Sequence, residues 1–164
     1  MILLIDTCTW LKLDLLNEDQ VFIPNKLYQW ADIEITHQIL KEIEYYDCIT
    51  FQKEETRIVP IENQHIYNEA LELNFDEADA SILGSGKKTS EYVLISEDGP
   101  LLEYARINNF KAFQLIDLFR ILFQKNLIES RELYHLTKYL REMKNITKKK
   151  EKSILKYRDG NRLE

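Results

Sequence analysis

Met1-Ile2-Leu3-Leu4-Ile5-Asp6-Thr7-Cys8-Thr9-Trp10 is an apolar run closed by a carboxylate and followed by two hydroxyl residues that can open a helix. An apolar run of this length reads as a strand buried on both faces, as in a parallel sheet. It is too short to cross a membrane, and no basic flank marks it as a signal peptide. A charge at the carboxyl end of such a strand lies where open α/β sheets place their sites. Asp6 is therefore either the cap of a helix starting at Thr7 or the first member of a site, and the stretch by itself leaves both readings open.

The size of the chain, 164 residues, fits one domain with a real core and a small appendage. Apolar residues at 45% and charged residues at 30% are ordinary for a folded soluble protein and argue against disorder. Cys8 and Cys48 form neither a disulfide framework nor a metal-binding spacing, which points to a reducing compartment. With no export or lipidation signal, the expectation is a cytoplasmic protein that does not engage a membrane. The net charge of −6 is unevenly spread: residues 138 to 158 carry +7, leaving −13 for the remainder. A basic tail on an acidic body suits a nucleic-acid enzyme that holds cations in its body and phosphates with its tail. It equally suits a solvated terminal helix.

Outward from the first strand, Thr7 to about Leu16 is free of Gly and Pro and reads as a helix, broken over Asn17 to Gln20. Val21 to Pro24 is a short piece suited to an extended form, and Asn25 to Asp32 reads as a short helix. Ile33-Glu34-Ile35-Thr36 alternates like a half-exposed strand. Thr36 suits the N-cap of a helix to about Tyr46, with Ile39, Leu40 and Ile43 as its apolar stripe. Arg57 to Ile61 is a second candidate strand, and 62 to 73 a helical stretch. Asp76-Glu77-Ala78-Asp79 begins another helix, ending near Gly84-Ser85-Gly86. Tyr92-Val93-Leu94-Ile95-Ser96 is a strong strand, followed by Glu97-Asp98-Gly99-Pro100 and a helix to about Asn108. Lys111 to Leu115 reads as an edge strand. From Ile116 the pattern is helical, turns over Asn126 to Ser130, and becomes polar, basic and loosely held beyond Asn145. Alternating strands and helices give a three-layer α/β/α fold with a mainly parallel sheet.

Topology then brings carboxylates together. Parallel strands share a carboxyl edge, which places Asp6 and Asp98 on one side of the sheet. The helix beginning near Asp76 precedes strand 92–96 and runs antiparallel to it, so Asp79 in its first turn joins them. Glu42, at the margin of its apolar stripe, can reach the same edge, although topology does not force it there. Like charges this close are costly unless a cation neutralises them. Mg²⁺ or Mn²⁺, which take oxygen ligands and retain waters, fit such a set. These ions activate water and stabilise in-line displacement at phosphorus, which points to phosphodiester chemistry.

Four segments also resemble the PIN-domain nucleases, most closely the VapC-type toxins of toxin–antitoxin pairs. They are Leu4-Ile5-Asp6-Thr7-Cys8, Ile39-Leu40-Lys41-Glu42-Ile43, Asp76-Glu77-Ala78-Asp79-Ala80-Ser81-Ile82-Leu83 and Val93-Leu94-Ile95-Ser96-Glu97-Asp98. The resemblance covers residues 1–115 as a PIN-like nuclease domain and leaves 116–164 as a helical extension with a basic tail. It puts the family's four acidic positions on Asp6, Glu42, Asp79 and Asp98, as metal ligands and catalytic residues, with Thr7 and Ser96 on supporting hydroxyl positions. It implies a Mg²⁺- or Mn²⁺-dependent endoribonuclease, an RNA substrate, a small antitoxin protein as partner, and a homodimer. Many relatives carry a further acid two residues after the last one. Pro100 stands there in this chain, and Glu97 is the nearest substitute.

Each acid also has a structural reading. Asp6 suits a helix cap, Asp76 with Asp79 an N-cap and N3 pair, Asp98-Gly99-Pro100 a turn, and Glu42 a solvated helix residue. The four readings must coincide at one sheet edge. Gly84-Ser85-Gly86-Lys87-Lys88 fails as a phosphate loop, because Ser81 stands in place of its first Gly and Lys88 in place of Ser or Thr. No GxGxxG fingerprint is present, and His37, His65 and His135 are scattered. Two further functions stay open: a non-catalytic module that binds nucleic acid or protein, and a nuclease directed at DNA.

Overall fold

In the computed structural model, which describes residues 1–160, the elements follow in the order β1 (Ile2–Ile5), α1 (Thr7–Glu18), α2 (Asn25–Trp30), β2 (Asp32–Thr36), α3 (His37–Tyr46) and β3 (Thr56–Val59). After these come α4 (Gln64–Glu72), α5 (Glu77–Ser85), β4 (Tyr92–Ile95), α6 (Gly99–Ile107), β5 (Ala112–Phe113), α7 (Leu115–Gln124), α8 (Ser130–Glu142) and α9 (Lys148–Gly160). The strands form one sheet in the order β3-β2-β1-β4-β5, with every pairing parallel. Helices cover both faces, giving the three-layer α/β/α architecture, and the chain closes on a helical C-terminal segment.

β1 is central because its side chains leave it no other place. Leu3, Leu4 and Ile5 are wholly buried, and Tyr92, Val93, Leu94 and Ile95 of β4 are buried beside them. Such continuous apolar strands suit a sheet covered on both sides. β1 registers Ile2 against Asp32 on one flank and against Tyr92 on the other. The chain reverses its direction of progress across the sheet between these two neighbours, so the crevice beyond the ends of β1 and β4 is the topological switch point.

Helix boundaries follow local chemistry. Thr36 caps α3 by accepting from the Ile39 N–H, and Asn63 caps α4 by accepting from Ile66. Three helices stop at an asparagine rather than a glycine: Asn74, Asn109 and Asn126 take the left-handed conformation, at φ 66°, 65° and 58°. Gly84 has a different task. α4 and α5 pack closely, and a Cβ at Gly84 would lie 2.9 Å from Ile61 Cγ2 and 2.9 Å from Tyr67 Cβ. Gly84→Ala is expected to lower stability by about 1–3 kcal/mol through this overpacking. Urea unfolding, read as a shifted midpoint at constant slope, measures it.

Three expectations need correction. β2 is not half-exposed: Ile33, Glu34, Ile35 and Thr36 are all buried, because β1 and β3 flank the strand and helices cover it. The alternation concealed a buried carboxylate, Glu34, which accepts from Arg57 and from the Tyr92 hydroxyl. The edge strand at 111–115 contracts to Ala112–Phe113, because α7 takes over at Leu115. Over residues 146–160 the tail is not loosely held, and 161–164 lie outside the described residues. Ile146 and Ile154 are buried, α9 packs on α8, and the charges are paired: Lys150 with Asp117 at 2.6 Å, and Glu151 with Lys138 at 2.7 Å. One apolar cluster runs from Leu3 through α7 and α8 to Ile154, across residue 115. Among the described residues, no helix is long and apolar enough to cross a membrane.

Candidate functional site

At the carboxyl edge of the sheet lies a cleft of about 270 Å³, lined by Asp6, Thr7, Cys8, Leu11, Glu42, Tyr46, Asp76, Asp79 and Asp98. Each acid arrives by a separate route. Asp6 ends β1 and caps α1: its Oδ1 accepts from the Thr9 N–H at 2.7 Å, and its Oδ2 accepts from Ser96 Oγ at 2.5 Å. Ser96 Oγ in turn accepts from the Asp98 N–H at 3.0 Å, so one hydroxyl fixes both β1 and β4 ends. Asp98 caps α6, its Oδ1 accepting from Leu101 N–H at 2.7 Å. Asp76 caps α5 by accepting from the Asp79 N–H at 2.8 Å, which places Asp79 in the first turn. Glu42 projects from α3 and accepts from Thr7 Oγ1 across the gap to α1.

The structure thus brings Asp6, Glu42, Asp79 and Asp98 to one cleft, and the capping readings hold as well. Asp6, Asp76 and Asp98 are all helix caps. This is no conflict. In a parallel α/β sheet every helix that follows a strand starts at the carboxyl edge, so acidic caps gather there. Convergence of caps therefore does not by itself define a site. Asp79, like Glu42, is not itself a cap, although its place in the first turn of α5 suits the helix dipole. It sits in the third position of α5, and among the described residues no hydrogen-bond donor reaches its carboxylate. Partial burial, with Asp76, Asp6, Asp98 and Glu42 around it, pushes its carboxyl up to about 7. Asp6 is also raised, chiefly by burial, against the hydrogen bonds from Ser96 and Thr9 that favour its charged form.

Four lining residues, Cys8, Leu11, Tyr46 and Asp76, fall outside the site that the sequence predicts. Asp76 was read only as a cap, while Cys8 and Tyr46 were given no place at the site. Cys8 follows Thr7 and is exposed, its thiol raised by burial and by the Asp6 charge, and lowered by Lys12. A helix from Thr7 puts residues 7, 8 and 11 along one lip, a spacing legible in advance. Glu97 departs from expectation. It does not line the cleft: its Oε1 accepts from the Leu115 N–H at 2.6 Å and its Oε2 from Asn145 Nδ2 at 2.5 Å. It therefore supplies no acid in place of Pro100, which lies in the first turn of α6.

The donor set suits a hard divalent cation. All of its charged groups are oxygens, and their mutual repulsion is what a cation relieves. Among the described residues, no group of three or more His, Cys, Asp or Glu side chains closes around one point as an ion cage would. Mg²⁺ accepts that arrangement, because it keeps several waters and takes one or two carboxylates together with substrate phosphate. A larger groove of about 620 Å³ lies between Gln20–Lys26 and α8, but its acids Glu129, Glu132 and Glu142 stand among Lys26, Arg131 and Lys138, and Lys26 pairs with Glu132 at 2.8 Å. Compared with family models, with curated proteins and with solved structures, the chain matches none.

Proposed function

We propose that the chain is a metal-dependent endoribonuclease that hydrolyses RNA phosphodiester bonds, with Asp6, Glu42, Asp79 and Asp98 holding Mg²⁺ or Mn²⁺. The observation that carries this reading is Asp79: a carboxylate that no donor reaches among the described residues, raised to about 7 by burial and then by four neighbouring acids, in a cleft at the switch point of a parallel sheet. Capping accounts for Asp6, Asp76 and Asp98 at this edge, but their presence raises the cost of ionising Asp79, a cost that a cation would relieve. The resemblance to PIN-domain nucleases supports the same residues and the same chemistry.

When bound, a hard cation supplies charge neutralisation and activated water for in-line displacement at phosphorus. The chain's own part is orientation. Ser96 and the Thr9 amide hold both oxygens of Asp6, and Thr7 holds one oxygen of Glu42, so these two carboxylates meet a substrate already oriented. With its carboxyl raised to about 7, Asp79 is partly protonated near neutral pH, and an arriving cation would favour its ionised form. The wider context of this reading is a toxin in a toxin–antitoxin pair, with a small antitoxin as partner, a homodimeric assembly and a cytoplasmic location. A non-catalytic binding module is the second reading. It is favoured by Glu97, whose commitment to Leu115 and Asn145 leaves the site without a fifth acid beside Pro100.

The test is an end-labelled RNA incubated with purified protein in Mg²⁺, Mn²⁺ or EDTA, with a DNA of the same sequence alongside. Cleavage of RNA in Mn²⁺ and none in EDTA is expected, with Asp6→Asn slowing it by more than ~100-fold. Cleavage that survives EDTA or Asp6→Asn would sink the mechanism. Equal cleavage of DNA moves the reading to a general nuclease, and binding without any cleavage moves it to the module.

A further inference from the structure

Lys144, Lys148 and Lys149 are exposed, and no hydrogen bond or ion pair among the described residues takes them up. Four other cations of the same segment are committed: Lys138 and Arg141 to Glu151, Lys150 to Asp117 and Arg158 to Asp159. Lys152 and Lys156, one and two turns further along α9, are exposed and unpaired like the first three among the described residues. Lys144, Lys148 and Lys149 are placed by two anchors. Asn145 donates to Glu97, the residue next to Asp98, and Lys150 reaches Asp117 in the first turn of α7, just beyond Leu115, whose N–H donates to the same Glu97. Both anchors lie at the carboxyl edge of the sheet, so Lys144, Lys148 and Lys149 stand on the same edge as the acidic cleft. Lys12 lies on α1 one helical turn beyond Cys8, which lines the cleft.

We infer that Lys144, Lys148, Lys149 and Lys12 form a phosphate-tracking strip that leads the backbone of a single-stranded RNA into the cleft at Asp6, Asp79 and Asp98. The body of the chain is strongly acidic in net charge, so a cationic strip ending at the cleft favours that approach for the strand. Lysines suit a sequence-independent grip, acting as mobile point charges rather than as readers of base edges. The buried side chains of Ile146 and Ile154 hold the segment in place. The inference rests on the nuclease reading for the choice of RNA over another polyanion.

The test is fluorescence anisotropy of a labelled single-stranded RNA of about 20 nucleotides, in EDTA, across a salt series. K144E/K148E/K149E is compared with K88E/K111E/K125E, which makes the same charge change around the opposite edge. The first variant is expected to weaken binding by about tenfold or more and to lower the log–log salt slope by about 2, at roughly 0.7 per lost contact on a single strand. The second is expected to bind within about threefold of the parent. Unchanged binding by the first, or equal loss in both, overturns the strip. Polyglutamate displacing RNA as well as an unlabelled RNA of equal charge overturns it in favour of an acidic protein partner. K144Q/K148Q/K149Q, which only neutralises, should follow the first variant in direction while melting with the parent, and its failure to do so also overturns the strip. Binding through the strip without cleavage in Mn²⁺ sinks the nuclease and leaves the strip. Cleavage by the reversal variant with unaltered KM sinks the strip and leaves the nuclease.

Discussion

Asp79→Asn is expected to abolish metal-dependent RNA cleavage, by more than ~100-fold, and at the same time to make the metal-free protein more stable above pH 7. The sign follows from proton linkage. The Asp79 carboxyl is raised from an ordinary 3.8 to about 7, so the folded chain keeps a proton that the unfolded chain releases earlier. Stability from this group is therefore full below about pH 4, falls as pH rises between about 4 and 7, and stays low above 7. Asn removes the cost of ionising. Because Asp79 is partly exposed, the gain is on the order of 1–2 kcal/mol after allowance for solvent screening. Differential scanning calorimetry at pH 5 and pH 8 reads it as a rise in Tm that is larger at pH 8. A variant that loses activity and also loses stability at pH 8 would mean that Asp79 is a structural acid. Cation affinity in the parent is expected to climb through the same pH interval, because a proton must leave before the ion is held.

Arg57→Met is expected to destabilise the protein by about 2 kcal/mol, although the arginine itself is 63% exposed. Its partner Glu34 is fully buried in β2 and has two donors, Arg57 and the Tyr92 hydroxyl. Breaking a buried pair strands a charge, which commonly costs 3–5 kcal/mol, reduced here because solvent reaches the arginine end. Glu34→Gln in the Arg57→Met background removes the stranded charge while keeping an acceptor for Tyr92. The double variant should recover at least half of the loss in urea unfolding. Recovery is the decisive reading: a double variant as unstable as the single would place the cost in lost packing of the arginine stem.

The centre of the sheet was legible because β1 and β4 are continuous apolar runs, and the direction of the flanking helices followed from parallel connection. That logic placed Asp6, Asp79 and Asp98 together before any coordinates. It did not reach Glu42, whose position depends on the tilt of α3 and on the Thr7 hydroxyl that receives it. Nor did it reach Glu34, because period-two alternation in a strand is ambiguous between exposure and a satisfied buried charge. The tail was misread for a related reason. Only two isoleucines, eight residues apart, are buried in 145–160, too few to show as a periodic stripe among nine cations over 138–158. What holds that segment down is pairing of Lys150 with Asp117, of Asn145 with Glu97 and of its own Glu151 with Lys138, partners remote from the segment's sequence pattern that carry no mark of their role.

β1 has a kinetic consequence. Its two partners lie about 30 and 90 residues further along the chain, as the registers of Ile2 with Asp32 and with Tyr92 show. The central strand therefore closes one long loop and then a much longer one before it is enclosed, and each closure precedes the contacts that reward it. Until β4 docks, Ile2–Ile5 presents an open, apolar edge, and Ser96 is absent from Asp6. Acquisition of the cleft is thus tied to the slowest pairing in the fold: a chain interrupted before residue 92 can form neither the sheet centre nor the acidic pocket, and its exposed strand is the segment most exposed to self-association.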